Sequence, residues 1–235
     1  MSRLIVLDTE TTGLSAEGGD RIIEIGCVEL LNRKLSGNNL HYYLNPERDS
    51  HEDALRVHGI SNEFLRDKPK FSAIADELLD YLNGAEVIIH NAAFDVGFLN
   101  KELQLAQRPP LKAVVAKVVD TLAMAKEMYP GKRNSLDALC DRLGVDNSGR
   151  TLHGALLDAE LLADVYIYMT RGQDALLVES VEEEVSTRTE DAFDWKSLDL
   201  PVLRANEQEL AAHESVLLQL DKASNGQTVW RKFVT

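Results

Sequence analysis

Two acids one residue apart follow an aliphatic run near the start of the chain, Leu4-Ile5-Val6-Leu7-Asp8-Thr9-Glu10. The run reads as a buried strand, and in a strand residues i and i+2 share a face. Asp8 and Glu10 are therefore expected to project together at its end, before Thr11-Thr12-Gly13 turns the chain away. Like charges that close repel unless protons or a cation lie between them. Three more residues can join the pair. Asp95 falls at the expected first turn of a helix, where an acid also complements the helix dipole. His153 and Asp158 flank the start of another helix, with a spacing that corresponds to about 140° of helical rotation. They cannot share a face if both are helical. Gly154 lets His153 sit on a loop before the helix, with Asp158 fixed in its second turn. A hinged base beside a fixed carboxylate is a useful catalytic arrangement.

The elements that must position these residues follow from hydrophobic pattern. After the first strand, residues 21–30 are rich in β-branched side chains and read as a second. Gly37-Asn38-Asn39 is a hairpin-turn signal, and Leu40 to Leu44 reads as a third strand closed by Asn45-Pro46. A short helix is expected over 53–57. Phe71, Ile74, Ala75, Leu78, Leu79 and Leu82 form the stripe of an amphipathic helix that Gly84 ends. Residues 86–90 form a short buried strand, 94–105 a helix, 114–120 a fifth strand and 121–128 a helix. Ser135 caps a helix that Gly144 stops, and the last helix of the body spans about 154–170. A three-strand meander followed by β-α-β crossovers implies an α/β fold, with a mixed five-stranded sheet flanked by helices on both faces.

The chain has 235 residues, 44% of them hydrophobic, enough for one substantial domain plus an appendage. No apolar run is long enough for a membrane span, and no signal segment opens the chain, so the expected compartment is cytoplasmic. Cys27 and Cys140 lie in apolar segments and look like ordinary core residues. A net charge of -14 argues against a basic nucleic-acid coat protein but not against a nucleic-acid enzyme whose acidic site recruits cations. Three parts are expected: a body at 1–172, an acidic linker at 173–199, and a tail at 200–235 in which Asn206 and Glu209 form a capping box.

Taken together, Asp8-x-Glu10, Asp95 and His153-x-x-x-x-Asp158 resemble the motifs of the DEDDh 3′→5′ exonucleases, which have a ribonuclease-H-like fold. Within that group, five segments resemble the proofreading epsilon subunits of bacterial DNA polymerase III. They are Arg21-Ile22-Ile23-Glu24-Ile25-Gly26, Val57-His58-Gly59-Ile60, residues 90–95, Lys132-Arg133-Asn134-Ser135-Leu136-Asp137 and residues 151–159. The resemblance covers roughly residues 2–170 and extends to residues 209–214 and the Trp230-containing end.

The resemblance implies hydrolysis of a 3′-terminal nucleotide to a nucleoside 5′-monophosphate, assisted by two divalent cations held by Asp8, Glu10, Asp95 and Asp158. Oxygen ligands suit Mg2+ or Mn2+ better than zinc. In this reading Asp8 bridges the cations, Glu10 and Asp158 complete the site that carries the attacking water, and Asp95 binds the second cation through water. His153 is the expected general base. Histidine ordinarily titrates near 6.5 and must be neutral to act, so activity should fall in acid. Thr12, Leu14, His58 and Phe94 are further candidates for holding the terminal nucleotides, along with Asp8, Glu10 and Asp158; Phe94 reads equally well as a core residue. Asp120, Asp137 and Asp141 read as solvated or capping acids, and His90 as a satisfied strand-end histidine.

The expected partners are DNA 3′ ends, the polymerase alpha subunit through residues 200–235, and a small theta-like subunit. Gln173-Asp174-Ala175-Leu176-Leu177 reads either as a sliding-clamp peptide or as a helix end running into linker. The physical motive for docking the tail is its apolar set, Leu210, Leu217, Leu220, Trp230 and Phe233, expected to be exposed. Two other functions fit parts of the pattern. An exoribonuclease of the same superfamily would share the catalytic residues but not need the tail. A non-catalytic polymerase tether would not need the five site residues.

Overall fold

The structure, a computed structural model, describes residues 3–149, 152–171 and 205–224. Strand β1 (Arg3–Thr11) is the centre of the sheet. It pairs antiparallel with β2 (Ile22–Leu31) on one side and parallel with β5 (Glu86–Ile89) on the other. Strand β6 (Lys117–Asp120) extends the sheet beyond β5. On the far side of β2 lie β3 (Lys34–Leu35) and β4 (Leu40–Tyr43), both antiparallel to it. The sheet is mixed, as expected, and carries a sixth strand, the two-residue β3.

The local differences from expectation have physical causes. The hairpin reverses at Asn32 and Arg33, both at positive φ, rather than at Gly37-Asn38-Asn39. Asn tolerates the left-handed conformation that tight hairpin turns require. Gly37, also at positive φ, lets the chain step from β3 to β4 along the same edge of β2. The strand expected over 114–120 is shorter, because β5 offers four residues to pair with; a 3-10 turn at Leu111–Ala113 precedes it.

Helices α1 (Glu52–His58), α2 (Asn62–Leu65) and α3 (Phe71–Leu82) connect β4 to β5. The α2 turn, absent from the sequence reading, is capped by the Ser61 hydroxyl, which accepts from Phe64 N–H. Helix α4 (Ala92–Leu105) follows β5, and α5 (Thr121–Met128), α6 (Leu136–Leu143) and α7 (Ala155–Thr170) follow β6. Because α7 begins at Ala155, Asp158 lies in its first turn rather than its second.

Alternation along β1 sorts the core into two layers. Ile5 and Leu7 join α3 and α4 on one face, through Phe71, Leu78, Phe98 and Leu103. Leu4 and Val6 join α5, α6 and α7 on the other, through Ala125, Leu139, Leu162 and Val165. Each fully buried aliphatic contributes about 1.5–3 kcal/mol relative to exposure. The same alternation continues into the chemistry: Asp8 and Glu10 have the parity of Leu4 and Val6, on the α7 face, while Thr9 has the parity of Leu7, on the α4 face.

A part-buried ion pair joins α4 to the start of β2. Arg21 Nε and Nη2 donate to Glu102 Oε1 and Oε2 at 2.7 and 2.8 Å, and Ile22 N–H donates to the same carboxylate at 3.2 Å. Removing Arg21 would leave the buried Glu102 carboxylate without its charged partner, which is destabilising, whereas Arg21 itself keeps some contact with water.

The chain divides into two compact units, Met1–Glu182 and Glu183–Thr235. In the second, α8 (Glu207–Ala223) starts at the expected capping box, Asn206 accepting from Glu209 N–H and Glu209 accepting from Asn206 N–H. Leu210 and Leu220 are exposed, but Leu217 is buried, so the exposed set expected of the tail loses that member. The acidic stretch 173–199, the Gln173-Leu177 segment, Trp230 and Phe233 lie outside the described residues. Among the described residues no helix is long and apolar enough to cross a membrane.

Candidate active site

Asp8 and Glu10 reach the end of β1 half-buried, both on the α7 face. Asp158 is brought to them by the first turn of α7 and is 4% exposed. His153 stands on the loop before α7, as the spacing with Asp158 requires, and its Nδ1 lies 3.1 Å from Asp158 Oδ2. The loop is tied rather than loose: His153 N–H donates to the Val57 carbonyl at the end of α1, at 3.2 Å. Glu10, His153 and Asp158 each offer a donor atom, all within 4.8 Å of one another.

Asp95 approaches from the opposite face. It lies in the first turn of α4, buried, and its Oδ1 accepts from Thr9 N–H at 3.1 Å and from Thr9 Oγ1 at 2.7 Å. Thr9 thus pins Asp95 to the strand between the two acids, outside the three-donor cluster. Burial pushes the Asp95 carboxyl up to about 6, against the Thr9 hydrogen bonds that lower it. A nearby cation would favour its ionised form.

Asp8, His153 and Asp158 line an open cavity of about 460 Å³ with His90, Asn91, Leu122, Ser135, Leu136 and Asp137. The sequence gives His90 and Asp137 no part in the site and Ser135 only the role of a helix cap. His90 is satisfied as expected, its Nδ1 2.9 Å from the Thr121 hydroxyl, and burial holds it below the ordinary histidine value. Yet it also faces the cavity, one residue beyond β5. The available signal was the pair of segments around 90–95 and 132–137, which carry polar residues at the ends of core elements. Asp120 is a helix cap, accepting from Leu122 and Ala123 N–H.

The four secondary candidates part company. Leu14 is 87% exposed and lines a second cleft, of about 410 Å³, with Gly13, His51, Asp53 and Val57. Phe94 is half-buried against the α3–α4 core layer, with its ring 4.9 Å from Phe98. Thr12 is fully buried, and its hydroxyl is spent within the protein: it donates to Asp20 at 3.3 Å and accepts from Arg21 N–H at 3.0 Å. Its part is to shape the turn that presents Leu14. His58 is buried, and its Nδ1 accepts from Ile60 N–H at 2.9 Å, so the neutral ring carries its proton on Nε2. Among the described residues that Nε2 has no hydrogen-bond partner. Burial lowers the His58 pKa, which keeps the ring neutral.

The donor set fits a hard divalent cation. Carboxylates predominate, they come from three separate elements, and a mutually repelling acidic cluster is what a cation relieves.

Comparison with known proteins agrees with this geometry. An exonuclease family profile, RNase_T, matches residues 5–166. A DNA polymerase III subunit epsilon of Pasteurella multocida is 52% identical over 243 residues, spanning 98% of this chain and 94% of its own. The subunit of the same name from Escherichia coli is 49% identical over 239 residues, spanning 98% of each chain. Among solved structures, exonuclease X in complex with a 5′-overhanging DNA duplex superposes with a TM-score of 0.57 at 25% identity, covering 73% of this chain and 93% of its own. E. coli exonuclease I bound to single-stranded DNA shares the fold, with a TM-score of 0.66 at 17% identity over 76% of this chain and 42% of its own. With an exonuclease domain whose acids converge at one strand end and relatives matched along nearly their full lengths, the chain belongs to the family of DNA polymerase III epsilon subunits.

Proposed function

We propose that the protein proofreads for a replicative DNA polymerase, removing mispaired 3′-terminal nucleotides as nucleoside 5′-monophosphates. The observation that carries this reading is the meeting of Glu10, His153 and Asp158 donor atoms within 4.8 Å, at the end of the strand that bears Asp8. Asp8, Glu10, Asp95 and Asp158 would hold two divalent cations, Mg2+ or Mn2+. Such ions, when bound, supply charge that activates the attacking water and stabilises the leaving 3′ oxygen.

The chain's own residues do the rest. His153 accepts the proton of the attacking water; Asp158, 3.1 Å from Nδ1 of the ring, orients it. His58 Nε2–H is a donor held in place by the Ile60 amide and enclosed without a hydrogen-bond partner among the described residues; it would meet an oxygen of the terminal nucleotide only where binding opens the side chains around it. Leu14, on its turn beside Val57, offers an apolar face to a base without reading its identity. Phe94 is the weaker candidate for the same task, because half of it belongs to the core. With no base-reading module in the sequence, discrimination rests on fraying: a mispaired end unpairs more easily and enters as a single strand.

Relatives matched over 98% of this chain, tail included, favour a polymerase-associated nuclease over a compact RNA-trimming one. We assign residues 200–235 to the polymerase alpha subunit, residues 173–199 to a tether that raises local nuclease concentration, and Gln173-Leu177 to the sliding clamp. A theta-like subunit would bind the body.

Digestion of a mismatched primer by the wild-type protein and by Asp8→Ala, with and without Mg2+, tests the site. Asp8→Ala is expected to lose more activity than the ~100-fold that an outer-shell partner is worth, with its thermal transition kept. An Asp8→Ala protein that keeps most of its magnesium-dependent activity overturns the ligand assignment.

A further inference from the structure

Helix α7 carries Asp158 in its first turn and follows His153 by a single glycine, yet its N-cap, Gly154, has no side chain to cap it. The cap comes from another element. Glu24 on β2 is buried, and its Oε2 accepts from Ala155 N–H, the first amide of α7, at 3.1 Å. Its Oε1 lies 2.7 Å from His41 Nε2 on the neighbouring strand β4, and the His41 ring is braced edge-on by Tyr43 at 4.8 Å. Both carboxylate oxygens are thus spent on holding geometry.

The register shows what that geometry is for. In the β1–β2 ladder Glu24 stands opposite Glu10, and Gly26 opposite Asp8. Directly paired residues project to the same face. A Cβ at Gly26 would run into the backbone of Ala155 and Leu156, so α7 begins against the bare backbone beside Asp8. One residue's absence of side chain sets the approach of the helix, and the next cross-strand position caps it.

We propose that Glu24 is a positioning residue for the hydrolytic site: through its cap on Ala155 it fixes Asp158 and His153 relative to Asp8 and Glu10. An ordinary structural cap would support helix stability alone. A positioning cap also sets the spacing of the cation donors, so its loss moves turnover and metal affinity at temperatures where the protein remains folded. This inference rests on the assignment of Asp8, Glu10 and Asp158 as cation ligands.

The test compares Glu24→Ala, Glu24→Gln and Asp8→Ala in the full chain. Single-stranded DNA digestion gives kcat and KM, calorimetric titration gives Mn2+ affinity, and thermal unfolding fixes a working temperature well below every midpoint. Glu24→Ala is expected to lower kcat and Mn2+ affinity by about 10–100-fold, the range for partners one shell out from a metal, with KM unchanged. Glu24→Gln keeps a carbonyl that can accept from Ala155 N–H, and recovers most of both. Wild-type kcat and Mn2+ affinity in Glu24→Ala, with only a lower unfolding midpoint, overturn the proposal, as does Glu24→Gln performing no better than Glu24→Ala. If Glu24→Ala fails to fold, Glu24→Asp carries the test. It keeps the charge but withdraws it from Ala155 by one methylene, so lowered kcat and Mn2+ affinity support positioning, and wild-type values for both overturn it. Retained Mn2+ binding and activity in Asp8→Ala would instead sink the ligand assignment, whatever Glu24 does.

Discussion

At His153 two contacts set a single side chain. The backbone amide is held by the Val57 carbonyl, and the ring by Asp158. The ring is not needed to fill a core, being nearly half exposed, so its loss should leave folding intact. His153→Ala is expected to lower kcat by about 10²–10⁴-fold, the usual worth of a positioned general base, while Mn2+ affinity by calorimetry stays near that of the wild type. Equal losses in turnover and affinity would make the histidine a ligand instead. His58 answers to a different balance. Its burial penalises the charged ring, so its folded pKa lies below the unfolded value of about 6.5. The sign follows: the neutral ring contributes stability above that pH, and the contribution is lost as pH falls and the unfolded chain takes up the proton first. An NMR titration should find the His58 ring protonating below about 6.5. A midpoint at or above that value would mean that the ring is not enclosed as described.

Among the elements, the joint between β2 and α7 is the most tightly specified. Glu24 caps the helix and Gly26 lets it approach. Gly26→Ala places a methyl group against backbone that has no rotamer with which to yield. It should cost at least the ~1–3 kcal/mol of an overpacked core site, read as a lower denaturant midpoint, and it should displace the first turn of α7. A midpoint equal to that of the wild type would show that the joint has slack. The Arg21–Glu102 pair does comparable work on the other face, fixing α4, and with it Asp95, to the start of β2. Strand β2 therefore holds both helices that deliver acids to β1.

For the whole molecule, the division at residues 182 and 183 separates a body that holds every candidate catalytic residue from a second unit whose described part is α8. Leu210, Val216, Leu218 and Leu220 leave α8 with exposed apolar surface, which fits a segment that docks on a partner. Deleting residues 180–235 should leave digestion of free single-stranded DNA unchanged and abolish co-elution with the polymerase alpha subunit on gel filtration. Continued co-elution of the truncated protein, with no clamp present, would place the main contact on the body.

The elements and the parity of the acids are legible in residue spacing and capping residues. Helix α3 spans its apolar stripe, Ser135 and Gly144 bound α6, and Asp8 and Glu10 share a face because strand geometry has period two. Those are local properties, written in spacing and caps. Only the folded chain reveals that Asp95 arrives through Thr9 from the opposite face, that Thr12 is enclosed, that His90 and Asp137 border the cavity, and that Glu24 caps a helix 131 residues away. Each of these depends on which strands pair and in what register, and pairing joins residues whose separation in the chain carries no periodic signal.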